Sequence, residues 1–152
     1  MVLLLLPTCY LESLHLTKLS VFEIGPSSFW NTEQFEINSL PNLQSITIGD
    51  ESFNGAIQDH SSFQIANCGE IESVIIPNSS FLFYRSFTIR NCSKLTTIII
   101  GNPESTSSSF YLSDLSIEGN SMFAIGHRST DVTATGAGRR FILSGKSNII
   151  AK

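Results

Sequence analysis

A chain of 152 residues with 41% hydrophobic content can bury a core, which excludes an intrinsically disordered chain. A net charge of −4, only 14% charged residues and a single small basic cluster at Arg139-Arg140 leave no basic stripe, so no nucleic-acid partner is expected. No segment approaches the ~20 consecutive apolar residues of a membrane-spanning helix, so no membrane span is expected.

In chain order, the N-terminal MVLLLLPTCY comes first. Its apolar run, Val2 to Leu6, is short, lacks a basic flank and meets no small-x-small cleavage site, so it does not read as a secretory leader. If the protein is secreted, the leader lies outside this sequence. Leu11 and Leu16 match the second half of a repeat unit, because Leu11 to Leu19 is an eight-residue step that recurs below.

Leu19, Leu43, Ile71 and Leu95 then open four clear units, 19–42, 43–70, 71–94 and 95–122, at intervals of 24, 28 and 24 residues. Their frame is L-x-x-I-x-I-G-x-x-S-F, a variable stretch, then F-x-I-x-N-C or its equivalent. A fixed period of this size means stacked supersecondary units. Each unit carries two strand signals. The first ends in alternation, as in Leu43, Ile46 and Ile48, is rich in β-branched residues and is followed by Gly25, Gly49, Pro77 or Gly101. The second is Phe35/Ile37, Phe63/Ile65, Phe87/Ile89 and Leu115/Ile117, with Glu36, Gln64, Thr88 and Ser116 facing the other way.

The corner from second strand to next first strand is constant, eight residues at Phe35 to Leu43, Phe63 to Ile71 and Phe87 to Leu95. The opposite corner varies, with additions at Gly55 to His60 and around Glu104 to Ser109, which is where solenoids accommodate loops. Within it Phe29, Phe53 and Phe81 recur after serine and are expected to stack as a core ladder. Cys68 and Cys92 share a slot with Leu16 and Leu40, so both read as buried thiols, although stacking also brings them within disulfide range. Residues 1–18 and 123–152 are partial or degenerate units, and Phe141, Leu143 and Ile149 are expected to reproduce the second-strand-to-first-strand step. The chain reads as one repeat array over 1–152, a slice of a longer one.

The residues Leu43, Ile46, Ile48, Gly49, Ser52, Phe53, Asn67 and Cys68, with their equivalents in residues 11–122, resemble the leucine-rich repeat superfamily, nearest to the β-rich BspA-like and protist-type repeats. The resemblance implies a mainly β, right-handed leucine-rich-repeat-type solenoid with 24–28-residue units, a parallel sheet on the concave side and two short strands per coil. It also implies protein recognition or adhesion without catalysis. This chain departs from the commonest members by showing F-x-I alternation, not helical spacing, on the convex side, so little or no helix is expected.

Chemistry is sparse. Gly145-Lys146-Ser147 ends like a phosphate-binding loop, but Arg140 stands where that motif needs its first glycine, and Gly136-Ala137-Gly138 lacks a third glycine. His15, His60 and His127 are isolated from any metal-ligand spacing, and Asp59-His60 reads as a solvated pair. There is no G-x-S-x-G elbow. No enzyme, metal or cofactor is therefore expected. The sequons at Asn78 and Asn91 are near chance in a Ser/Asn-rich chain, and they favour a secreted or cell-surface location only slightly.

What remains is the outward side of the first strands. Glu23, Thr47, Ile75 and Ile99 form one column there, beside Val21, Ser45, Ser73 and Thr97. Two isoleucines on an expected solvent face suggest an apolar strip for a protein partner, with Glu23, Thr47, Ile75, Ile99, Ser45, Ser73 and Thr97 as candidate contact residues. The plainer reading is that β-branched residues simply favour sheets. A structural spacer in a larger surface protein is the rival function.

Overall fold

The β-branched runs and the F-x-I pairs fold as short strands, because their alternation gives each strand one apolar face. The computed structural model describes residues 8–12, 16–54, 60–76, 79–101, 114–118, 131–136, 139–144 and 148–151. In chain order the strands are β1 (Thr8–Glu12), β2 (Val21–Ile24), β3 (Gln34–Asn38), β4 (Ser45–Ile48), β5 (Ser62–Ala66), β6 (Ser73–Ile76), β7 (Ser86–Arg90), β8 (Thr97–Ile100), β9 (Asp114–Glu118), β10 (Asp131–Gly136), β11 (Arg139–Ser144) and β12 (Asn148–Ala151). No helix element occurs among the described residues.

Strands β1 to β10 alternate between two sheets, and β11 stays in the sheet of β10 before β12 returns to the other. The L-x-x-I-x-I strands lie in the order β10-β11-β8-β6-β4-β2, which we call sheet 1, and the F-x-I strands in the order β1-β3-β5-β7-β9-β12, sheet 2. All pairings are parallel except the β10–β11 hairpin. The molecule is a β-solenoid of stacked coils, each placing one strand in each sheet. Equivalent residues pair directly: Ile46 with Val74 and Val74 with Ile98, Phe35 with Phe63 and Phe63 with Phe87. Leu43, Ile46, Ile48, Phe53, Phe63 and Ile65 are all fully buried, as the repeat frame requires.

Two aromatic columns fill the space between the sheets. Phe29, Phe53 and Phe81 stack at 5.1 and 4.4 Å, and Phe35, Phe63 and Phe87 at 5.5 and 5.1 Å, with rings within 9° of parallel. The columns meet edge to face, Phe53 on Phe35 at 5.0 Å and Phe81 on Phe63 at 4.8 Å. To reach this arrangement Phe29, Phe53 and Phe81 adopt φ of 56°, 61° and 57°, a left-handed conformation unusual for a bulky side chain. Stacking and a backbone ladder hold it, with the Phe53 and Phe81 amides donating to the Ser28 and Ser52 carbonyls of the previous coil at 3.0 Å. Tyr84 is fully buried beside these columns, its ring 4.9 Å edge-on from Phe81 and its hydroxyl donating to the carbonyl of Thr32.

The constant corner has a repeated internal structure. Ser39, Asn67 and Asn91 are left-handed, and the amides of Leu43, Ile71 and Leu95 close each turn on Leu40, Cys68 and Cys92. Asparagine tolerates that conformation best among residues with a Cβ. Here its side chain also ties coil to coil, with Asn91 Nδ2 donating to Asn67 Oδ1 at 2.9 Å and Asn67 Nδ2 to Asn38 Oδ1 at 3.0 Å.

Two expectations about the ends are corrected. Leu11 pairs with Ile37 and Cys9 with Phe35, so Leu11 occupies the Ile slot of its strand, two residues from the slot the eight-residue step assigned it. Phe141 and Leu143 pair with Ile98 and Ile100 in sheet 1, while Ile149 pairs with Leu115 in sheet 2, the reverse of the expected roles. The cause is the same in both places. Period-two alternation looks identical in either sheet and after any two-residue slip, so only pairing partners decide it.

Candidate recognition face

The outward side of sheet 1 assembles all the residues singled out there. Glu23 lies beside Thr47, Thr47 beside Ile75, and Ile75 beside Ile99. The adjacent column runs Val21, Ser45, Ser73, Thr97 in the same pairings. Register adds two positions the sequence reading missed, Arg140 next to Thr97 and Ile142 next to Ile99. They were missed because residues 139–144 were assigned to the other sheet. By backbone register the sheet thus continues one strand beyond Ile99.

Exposure along the strip is graded. Val21 and Glu23 on the terminal strand β2 are exposed, whereas Ser45, Thr47, Ser73, Ile75, Thr97 and Ile99 are half-buried. Strands at the ~4.8 Å spacing of a sheet shade their lateral neighbours, which accounts for the difference. Inward Val74 and Ile98, by contrast, are fully buried. Ile75 and Ile99 therefore project outward from a rigid platform while retaining surface for contact.

The outward side of sheet 2 has another character. Gln34, Glu36, Ser62, Gln64, Ser86 and Thr88 line it, all half-buried. Gln64 Nε2 and Asn38 Nδ2 both donate to Glu36 Oε1, at 3.0 and 3.1 Å, so these three side chains are engaged with one another. Among the residues whose side chains are described, the apolar pair Ile75 and Ile99 lies on the outer face of sheet 1.

Elsewhere, two ionisable pairs join neighbouring coils. His60 Nε2 lies 3.0 Å from Glu33 Oε2 on the preceding coil, and Lys94 Nζ lies 2.6 Å from Glu70 Oε2. His60 thus has a partner that its sequence neighbours did not suggest, while Asp59, His15 and His127 lie outside the described residues. Residues 55–59 and 104–109 of the variable corner, Asn78 of the first sequon and Gly145-Lys146-Ser147 also lie outside them, and the strand β12 follows the last of these. Asn91 of the second sequon is engaged in the asparagine ladder. Among the described residues, no group of three or more His, Cys, Asp or Glu is placed to hold a metal ion, and no helix is long and apolar enough to cross a membrane.

Cys68 and Cys92 are free and buried, their thiols donating to the carbonyls of Ala66 at 3.2 Å and Arg90 at 3.4 Å. Burial raises both thiol pKa values, that of Cys92 from 9.0 to about 12. The thiolate is the reactive form, so both should resist alkylation in the folded chain and react on unfolding. The sign for stability follows. Because the folded pKa is the higher one, the unfolded chain loses its thiol protons first, so stability is intact below about pH 9 and falls as pH rises from there toward 12. Following the urea midpoint from pH 8 to 11, with Cys92→Ala for comparison, checks this: the variant should show the shallower decline.

No family model, curated protein or solved structure matches this chain.

Proposed function

We propose that this chain is a protein-recognition or adhesion module, a repeat of the leucine-rich, BspA-like type, which captures a protein partner on the outward face of sheet 1 without catalysis or a cofactor. The observation that supports this is the contrast between the two outer faces. On sheet 2 Glu36 is engaged by Gln64 and Asn38, whereas sheet 1 presents Ile75 and Ile99 beside hydroxyl-bearing Ser45, Thr47, Ser73 and Thr97. An apolar strip rimmed by small hydroxyls and held by a stiff sheet loses little entropy on docking. The acidic balance of the chain disfavours nucleic acid as that partner. On this reading the array works at a cell surface or in secretion, as part of a longer protein.

The test is Ile75→Lys combined with Ile99→Lys. Both side chains project outward, so circular dichroism should be unchanged. Proteins captured from a native lysate or cell surface and identified by mass spectrometry should be lost, because an apolar contact cannot bury two ammonium groups cheaply. A control pair on the other face, Gln64→Lys with Thr88→Lys, should keep them. Equal capture by both pairs would move the site away from sheet 1. If the native chain captures nothing, the half-burial of Ile75 and Ile99 favours the second reading, a structural spacer in which β-branched residues merely stabilise the sheet.

A further inference from the structure

Two corners hold each coil on the one before it. At the turn after each sheet 1 strand, Ser52 Oγ donates to the carbonyl of Gly25 at 3.1 Å and accepts from the amide of Ser28 at 3.3 Å. Ser80 Oγ repeats this serine ladder one coil later, on the Gly49 carbonyl at 3.0 Å and the Ser52 amide at 3.3 Å. Each serine thus clasps the turn of the coil before it. At the constant corner the asparagine ladder runs through Asn67 and Asn91. The next residue in each case is a cysteine. Cys68 and Cys92 occupy one slot on successive coils, Leu40 fills it one coil earlier, and all three are fully buried.

The backbone on both sides of that slot is fixed. Ala66 pairs with Arg90 just before it, and the Asn67 amide donates to the Arg90 carbonyl at 3.1 Å. Just after it, the Ile71 and Leu95 amides close the two turns on the cysteine carbonyls at 3.2 and 3.1 Å. Stacked coils repeat at about 4.8 Å, within the roughly 4.4–6.8 Å between Cα atoms that a disulfide spans. The two side chains lie parallel, because each Sγ donates to the carbonyl two residues before it, Ala66 for Cys68 and Arg90 for Cys92. Bonding requires the sulfurs to turn toward each other, which gives up two weak S–H hydrogen bonds.

We propose that Cys68 and Cys92 are a redox pair that closes into a disulfide as the chain folds, stapling coil 43–70 to coil 71–94, with a small disulfide of the glutathione class as oxidant. One cysteine thiolate attacks that disulfide, a mixed disulfide forms and one small thiol leaves. The other cysteine thiolate then attacks the first cysteine's sulfur, and the second small thiol leaves. Two electrons pass to the oxidant, and the two cysteine protons end on the released thiols. Burial sets the moment of closure. In the folded chain desolvation keeps both thiols protonated, that of Cys92 being pushed up to about 12, so neither attacks an oxidant. In the unfolded chain both ionise as ordinary thiols. The pair therefore keeps the state it takes at folding, and records whether that compartment was oxidising. None of this depends on the outward face of sheet 1.

The whole chain, unfolded in urea, is diluted into oxidised or reduced glutathione, digested without reduction and mapped by mass spectrometry. The oxidised sample should carry one Cys68–Cys92 bridge with Cys9 outside it, the circular dichroism of the reduced sample and a higher urea midpoint. Cys92→Ala taken through the same oxidation should show no such rise. The same oxidant added to chain already folded in reductant should leave the pair as thiols over the time that bridges the refolding sample. Chain secreted from cells behind an added leader needs no refolding and should map with the same bridge. No bridge, a bridge to Cys9, or both cysteines ending as mixed disulfides would overturn the proposal. So would a bridged chain with a lower midpoint or altered circular dichroism, or prompt bridging of the folded chain.

Discussion

Phe81→Ala should lower stability by about 3–5 kcal/mol, the range for removing a buried aromatic ring whose surroundings cannot close over the void. Collapse is difficult here because each neighbour is held by something else. Phe53 lies 4.4 Å away in the same column, Phe63 is 4.8 Å away in the facing one, and Tyr84 is anchored to Thr32 through its hydroxyl. Closing the void would require one coil to shift against the next, which the serine and asparagine ladders resist. Phe81→Leu, which keeps most of the volume, should cost clearly less. Gln44→Ala, at an exposed corner position, should stay within about 0.5 kcal/mol. Urea midpoints at a common slope rank the three variants. Similar midpoints for Phe81→Ala and Gln44→Ala would contradict the aromatic columns.

The sequence was most legible where the unit repeats with its spacing intact. Leu43, Ile46, Ile48, Phe53, Phe63 and Ile65 could be placed inward because three copies of the same frame superimpose, and a stacked array buries equivalent positions together. The phenylalanine ladder followed from the same logic. What could not be read was anything that alternation leaves degenerate. Cys9 and Leu11 are interchangeable by pattern, and so are the roles of Phe141-x-Leu143 and Ile149, so strand pairing was needed to place them. Ile142 joined the candidate face only through that pairing.

Other features lie in backbone geometry, which residue types barely signal. Nothing in the frame announces that Phe29, Phe53 and Phe81 take positive φ, since phenylalanine is a poor left-handed residue that the fold overrides. The asparagines were visible as repeated letters, yet their side-chain ladder depends on Asn38 reaching from a position one residue out of the repeat slot. The pairing of His60 with Glu33 joins residues from different coils and has no local signature.

Gly49→Ala should be strongly destabilising, and Gly25→Ala should not, although both occupy the same slot of the same frame. The turn after each sheet 1 strand presses on the turn of the preceding coil. At Gly49 an added Cβ would stand 2.4 Å from Gly25 C and Pro26 N and 2.7 Å from Gly25 O, all backbone atoms with no rotamer to yield. The two turns cannot simply part, because the Ser27 amide donates to the Asp50 carbonyl at 2.8 Å and Ser52 Oγ holds the Gly25 carbonyl. Relief must come from backbone displacement, an overpacking cost of at least about 1–3 kcal/mol, with the loss of those bonds in addition. At Gly25 the same methyl meets nothing closer than 4.0 Å. There the lower backbone entropy of the unfolded chain should offset any small cost, leaving stability unchanged or raised by up to about 1 kcal/mol. Chemical denaturation of the two single variants decides the matter, and a ranking with Gly25→Ala as the less stable would mean that the turns are not stacked in the direction the serine ladder defines.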